Sequence, residues 1–136
     1  MRTLLILCLA AAACTPTAGE IASSADRAAA DQAKLSRRLA GYVPDAPQSC
    51  LSGIDRRTAR TQYIGSTILY RVGGDGRIIR NDMNGNCPLG RDPILVTRTP
   101  TGDLCRGESA QLLDRGSRFP IGSCIYGDFV TYRKAR

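Results

Sequence analysis

With 136 residues and a formal charge of +7, the chain is long enough for one domain and not two once a leader is subtracted. It contains no histidine, which removes Ser-His and Cys-His nucleophile pairs and the commonest general base together. Six cysteines without CxxC spacing argue against a zinc site and, in a small exported chain, for disulfides.

The chain opens on a leader. Arg2 is a basic n-region, and Leu4 to Leu9 with Ala10 to Ala13 form an apolar run. That run is shorter than the ~20 residues a spanning helix needs, so residues 1–13 read as a cleaved export signal. Ala11-Ala12-Ala13-Cys14 resembles the bacterial lipobox, which prefers Leu where Ala11 stands. The resemblance implies that Cys14 is acylated and becomes the new N-terminus. Thr15, where Asp would signal retention at an inner membrane, implies the periplasmic face of an outer membrane. The alternative is a plain secretory signal and a soluble periplasmic or secreted protein. Acyl chains, at ~0.8 kcal/mol per buried CH₂, would hold the protein firmly.

From Thr15 to Glu20 a polar tether is expected, then a helix over IASSADRAAADQAKLSRRLAG. Ser23 with Asp26 suggests a capping box, Lys34, Arg37 and Arg38 suit the C-terminal dipole, and Gly41 stands where a C′ glycine would. The apolar stripe is thin, so residues 14–46 read as a tether and helical spacer, or as a partly disordered stalk. GYVPDAPQS, with two prolines, reads as a linker.

Residues 47–136 carry a different grammar, with turn residues every 8–12 positions and alternating runs between them. TILYRV, a GGDG turn and RIIRN predict a β-hairpin from Ser66 to Asn81. PILVTR, AQLLD and CIYGDFVTY predict further strands, as does the stretch from Cys50 to Ile54. The expected fold is mainly β: a small five- or six-stranded barrel or sandwich preceded by an N-terminal helical segment.

Cys8 leaves with the leader and Cys14 carries lipid, so Cys50, Cys87, Cys105 and Cys124 remain as two disulfides. If the first and last strands of a closed barrel meet, Cys50 pairs with Cys124 and Cys87 with Cys105. The alternative considered is Cys50–Cys87 with Cys105–Cys124.

Several segments together resemble a family of small bacterial lipoproteins and secreted domains of unknown function. They are Cys50-Leu51, TILYRV, RIIRNDMNGNCPLG, DLCRGE and GSCIYGDFVTY, roughly residues 48 to 132. The matching positions are Cys50, Asn81, Cys87-Pro88, Leu104-Cys105, Gly107-Glu108, Ser123-Cys124, Gly127 and Phe129. The resemblance implies an exported four-cysteine domain and brings no activity with it.

Carboxylates are the remaining candidates for chemistry: Asp75, Asp82, Asp92, Asp103, Glu108, Asp114 and Asp128. Most sit beside Gly or Asn, where a turn accounts for them. DMNGN at 82–86 fails the calcium-loop pattern and reads as a tight turn before Cys87. Residues 47–136 hold fourteen basic against eight acidic side chains. Arg56, Arg57, Arg60, Arg77 and Arg80 form a candidate anion-binding patch. Neither a cofactor nor a metal is called for. Sparse aromatic interleaving argues against nucleic acid. The expected role is a non-enzymatic envelope lipoprotein at the outer membrane, structural or binding an anionic envelope component or a protein. The alternatives are a small carboxylate-dependent hydrolase and an inhibitor of a periplasmic hydrolase.

Overall fold

Alternation along the strands decides how the sheet buries itself. In strand β4 (Thr67–Arg71) and the residue after it, Ile68, Tyr70 and Val72 enter one core, while Leu69 enters another on the opposite face. The computed structural model describes residues 15–74 and 76–136. The leader over 1–13, Cys14 and Asp75 lie outside them.

Helix α1 (Ala18–Leu39) leads into β1 (Tyr42–Pro44), β2 (Cys50–Leu51), helix α2 (Gly53–Thr58) and β3 (Arg60–Ile64). After β4 come β5 (Ile78–Asn86), a 3-10 turn (Leu89–Arg91), β6 (Ile94–Thr97), β7 (Leu104–Cys105), β8 (Ser109–Leu113) and β9 (Pro120–Lys134). Six strands in the order β3-β4-β5-β9-β8-β6 form a curled half-barrel. The long β9 pairs with β5, and β1 lies against its C-terminal end. The expected hairpin is present: β4 and β5 pair from Thr67↔Asp82 to Arg71↔Ile78.

Three local expectations are corrected. The helix begins earlier than the Ser23–Asp26 reading placed it, because Thr17 and Glu20 form the capping box. The Thr17 backbone N–H donates to Glu20 Oε2 at 2.7 Å, and Glu20 N–H donates to Thr17 Oγ1 at 3.3 Å. The proline-marked linker carries a strand, since Tyr42, Val43 and Pro44 pair with Lys134, Arg133 and Tyr132 at a sheet edge where proline is tolerated. DMNGN is no turn: β5 runs on to Asn86, with a register shift between Asn81 and Met83 opposite β9. Gly41, by contrast, sits at φ +80° just after the helix, as a C′ glycine does.

Both disulfide pairings expected from a closed barrel are replaced by a third, Cys50–Cys105 and Cys87–Cys124. The reason is topological. β2 does not join the main sheet; it pairs with β7, placing Cys50 directly opposite Cys105. β5 delivers Cys87 beside β9, where Gly85 is paired with Cys124.

The concave side of the half-barrel holds the larger core, built on Ile68, Tyr70, Leu112, Tyr126 and Phe129. On the convex side, Leu35 of α1 packs with Ile64, Leu69 and Ile78, flanked by Leu39 and Tyr42. Residues 18–30 of α1 are exposed on every side. The helix therefore docks through its last third, and about 20 Å of it projects beyond the domain. Among the described residues no helix is long and apolar enough to cross a membrane.

Candidate functional site

A half-barrel leaves its two outer strands unpaired with each other, and here a hollow of about 210 Å³ lies between them. β3 contributes Thr61 and Tyr63, β6 contributes Leu95 and Thr97, and the floor carries Tyr70 and Tyr126. Arg56 of α2 enters from the rim.

The position of Arg56 follows from the chain before it. The Cys50–Cys105 bridge fixes β2 against β7. Ser52 then caps α2, its Oγ accepting from Asp55 N–H at 3.1 Å, while Asp103 Oδ1 accepts from Gly53 N–H at 2.8 Å. Gly53 allows this approach, because a Cβ there would lie 2.8 Å from the Gly102 carbonyl oxygen. Arg77 pairs with Asp55 at 3.3 Å and holds the helix from the other side.

Arg56 takes part in none of the ion pairs among the described residues. Its Nε is buried without a hydrogen-bond partner. Among the described residues each ion pair joins other arginines to their acids: Arg77–Asp55, Arg80–Asp82, Arg106–Asp128, Arg115–Asp92 and Arg133–Asp45. Arg56 is half-buried as a whole, and a desolvated guanidinium N–H without an acceptor is costly unless something pairs with it.

The phenols around it are donors rather than bases. Burial pushes Tyr70, Tyr126 and Tyr63 above the ordinary phenol value, so all three are neutral near pH 7. Tyr126 Oη lies 3.1 Å from Thr97 Oγ1, within hydrogen-bonding distance. Tyr126 and Phe129 stack at 6.2 Å between ring centroids, which fixes the floor. A guanidinium fork among neutral hydroxyls can receive a carboxylate or phosphate oxygen.

The five arginines singled out from the sequence do not form one patch. Arg56 is at the hollow, while Arg77 is held by Asp55 in a second hollow beside β2 that also contains Asp103. Arg80 is held by Asp82 at 3.0 Å. Arg60 lies on the convex face directly opposite Arg71, and Arg57 is exposed on α2. Tyr63, Thr97 and Tyr126 were not singled out as a constellation, although the alternation in RTQYI marks Thr61 and Tyr63 as one face of a strand.

The candidate acids have structural partners. Asp82 accepts from Thr67 and Arg80, Asp92 pairs with Arg115, and Asp103 caps α2. Glu108 accepts from Cys105 N–H, Asp114 from Ser117, and Asp128 from Arg106. Among the described residues no cluster of three or more Cys, Asp or Glu could hold a metal ion. No family model matches the chain, and neither a curated protein nor a solved structure matches it.

Proposed function

We propose that this chain is a non-enzymatic envelope lipoprotein of the resembled bacterial type, whose half-barrel receives an anionic group of an envelope component. Cys14 carries the acyl anchor at the outer membrane, α1 is the spacer, and the stapled β-domain presents Arg56 with the Tyr63, Tyr126 and Thr97 hydroxyls. The observation that carries the binding reading is the buried, unpartnered Nε of Arg56 at a hydroxyl-lined hollow.

The competing reading is a carboxylate-dependent hydrolase, favoured by Asp55 and Asp103 lining the second hollow. Both carboxylates have other work there, one in an ion pair and one as a helix cap. That supports binding over hydrolysis.

The test is titration of the folded protein with acetate, inorganic phosphate and glucuronate, followed by NMR at the Arg56 Nε–H and the Thr97 methyl. Saturable shifts with at least one anion, lost in Arg56→Gln and absent with neutral glucose, are expected. Equal responses of the parent and the Arg56→Gln variant would overturn the reading.

A further inference from the structure

We propose that the β8–β9 loop, residues 114–119, is a membrane-contacting tip that places Phe119 in the headgroup region of an anionic bilayer. This rests in part on the anchor reading above and adds the orientation of the domain.

The tip is apolar, basic and held in shape. Phe119 is 72% exposed, the most exposed large hydrophobic side chain among the described residues. Asp114 organises the loop. Its Oδ1 accepts from the N–H groups of Gly116 and Ser117 at 3.2 and 2.8 Å and from Ser117 Oγ at 2.8 Å. Asp114 N–H donates to the Phe119 carbonyl, and Arg118 N–H to the Asp114 carbonyl, both at 2.9 Å. Arg118 holds φ +63°, a conformation a non-glycine residue keeps only where its surroundings impose it. A loop ordered this heavily around an outward phenylalanine loses little conformational freedom on docking.

Charge and topology select the partner. Arg115 and Arg118 are exposed in the loop, and Arg91 is near enough to act on Asp114. Asp92 pairs with Arg115 at 3.1 Å, and the Asp114 carboxylate is engaged by the N–H groups of Gly116 and Ser117, so Arg91 and Arg118 leave the tip with a net positive charge. Basic side chains beside a single aromatic suit anionic lipid headgroups.

The anchored end of the chain leaves from the same side. Asp31 of α1 lies against Gly65 in the β3–β4 turn, and the helix runs from there back towards Tyr42. Its free N-terminal part therefore projects past the β3–β4 turn, and with the tip in the headgroups these ~20 Å of helix lie along the bilayer surface rather than standing the domain off from it. The β8–β9 loop is at that same end of the strands, with Arg115 close enough to act on Tyr63 near the end of β3.

The chain has no tryptophan, so one introduced residue reports alone. Acylated Phe119→Trp protein is reconstituted into vesicles of phosphatidylethanolamine with phosphatidylglycerol, beside vesicles of phosphatidylcholine. Ile54→Trp is the matching probe on α2, at an exposed position near the Asp55–Arg77 pair. The expected result is a blue-shifted emission, quenched by lipids brominated near the headgroup, for Phe119→Trp on the anionic vesicles and not for Ile54→Trp. Water-like emission at position 119 on both vesicles would overturn the proposal. So would equal shifts at both positions. A Cys14→Ser chain run in parallel keeps the two ideas separable: the anchor fails on the mass of the native protein, the tip on the emission of the acylated one.

Discussion

Asn81 Nδ2 donates to the Gly127 carbonyl at 2.8 Å and to that of Asp128 at 3.2 Å, joining β5 to β9 where their register shifts. Asn81 is fully buried, and a Cβ on Gly127 would lie 2.5 Å from the Asp82 carbonyl oxygen. One extra residue on β9, where Gly127 and Asp128 face Asp82 alone, bends the sheet here, and Asn81 and Gly127 are what the bend requires. Phe129, next on the same face of β9, stacks on Tyr126 beneath the hollow.

Asn81→Ala removes a fully buried side chain and the donor of two part-buried hydrogen bonds, and is expected to cost about 1–3 kcal/mol. Gly127→Ala must displace backbone and is expected to cost a similar ~1–3 kcal/mol. Urea unfolding of both variants checks this. Parent-like midpoints would show that the bend does not depend on this pair.

The residues carrying the family resemblance were legible as a pattern, and the structure gives most of them packing roles. Asn81, Gly127 and Phe129 build the bend and floor, and Glu108 holds the β7 turn through Cys105 N–H. Hairpin β4–β5 was legible because its alternation is local. The cysteine pairing was not. It depends on β2 leaving the main sheet for β7, a long-range choice that no local spacing records. The hollow was equally hidden, because Arg56, Thr97 and Tyr126 meet only when the sheet curls. Strand β1 was masked by Pro44, which a sheet edge accepts, and by Pro47 just beyond it.

Peptide mapping without reductant should recover Cys50 linked to Cys105 and Cys87 linked to Cys124. Replacing Cys87 and Cys124 together by alanine is expected to cost about 2–4 kcal/mol. Recovery of Cys50 linked to Cys124 would contradict the separate β2–β7 pairing.

Leu35 is the buried anchor of α1, 5% exposed among otherwise exposed neighbours. Leu35→Ala should undock the helix at a cost of about 1.5–3 kcal/mol of burial, and an isolated helix of this kind is marginal. Helical circular dichroism is therefore expected to fall, with β-sheet amide protection kept. Loss of both together would show that helix and sheet fold as one unit.

Alkali should unfold the domain through its buried phenols. Burial raises Tyr70, Tyr126 and Tyr63 above the ordinary value of 10.0 in the folded state. The unfolded chain then loses these protons first, so stability is intact below about pH 10 and falls as pH rises beyond it. Tyrosinate absorbance should show three late phenols whose ionisation coincides with loss of the sheet signal. Early ionisation of all the phenols with the fold intact would contradict the burial of the floor.

The intact mass of the protein from native membranes, with and without reductant and beside a Cys14→Ser variant, tests the whole account most directly. The account predicts residues 14–136 plus acyl chains, less four hydrogens that reductant restores, and loss of the membrane-bound form in the variant. An unlipidated species cut elsewhere, found in the soluble fraction, would contradict the anchored reading.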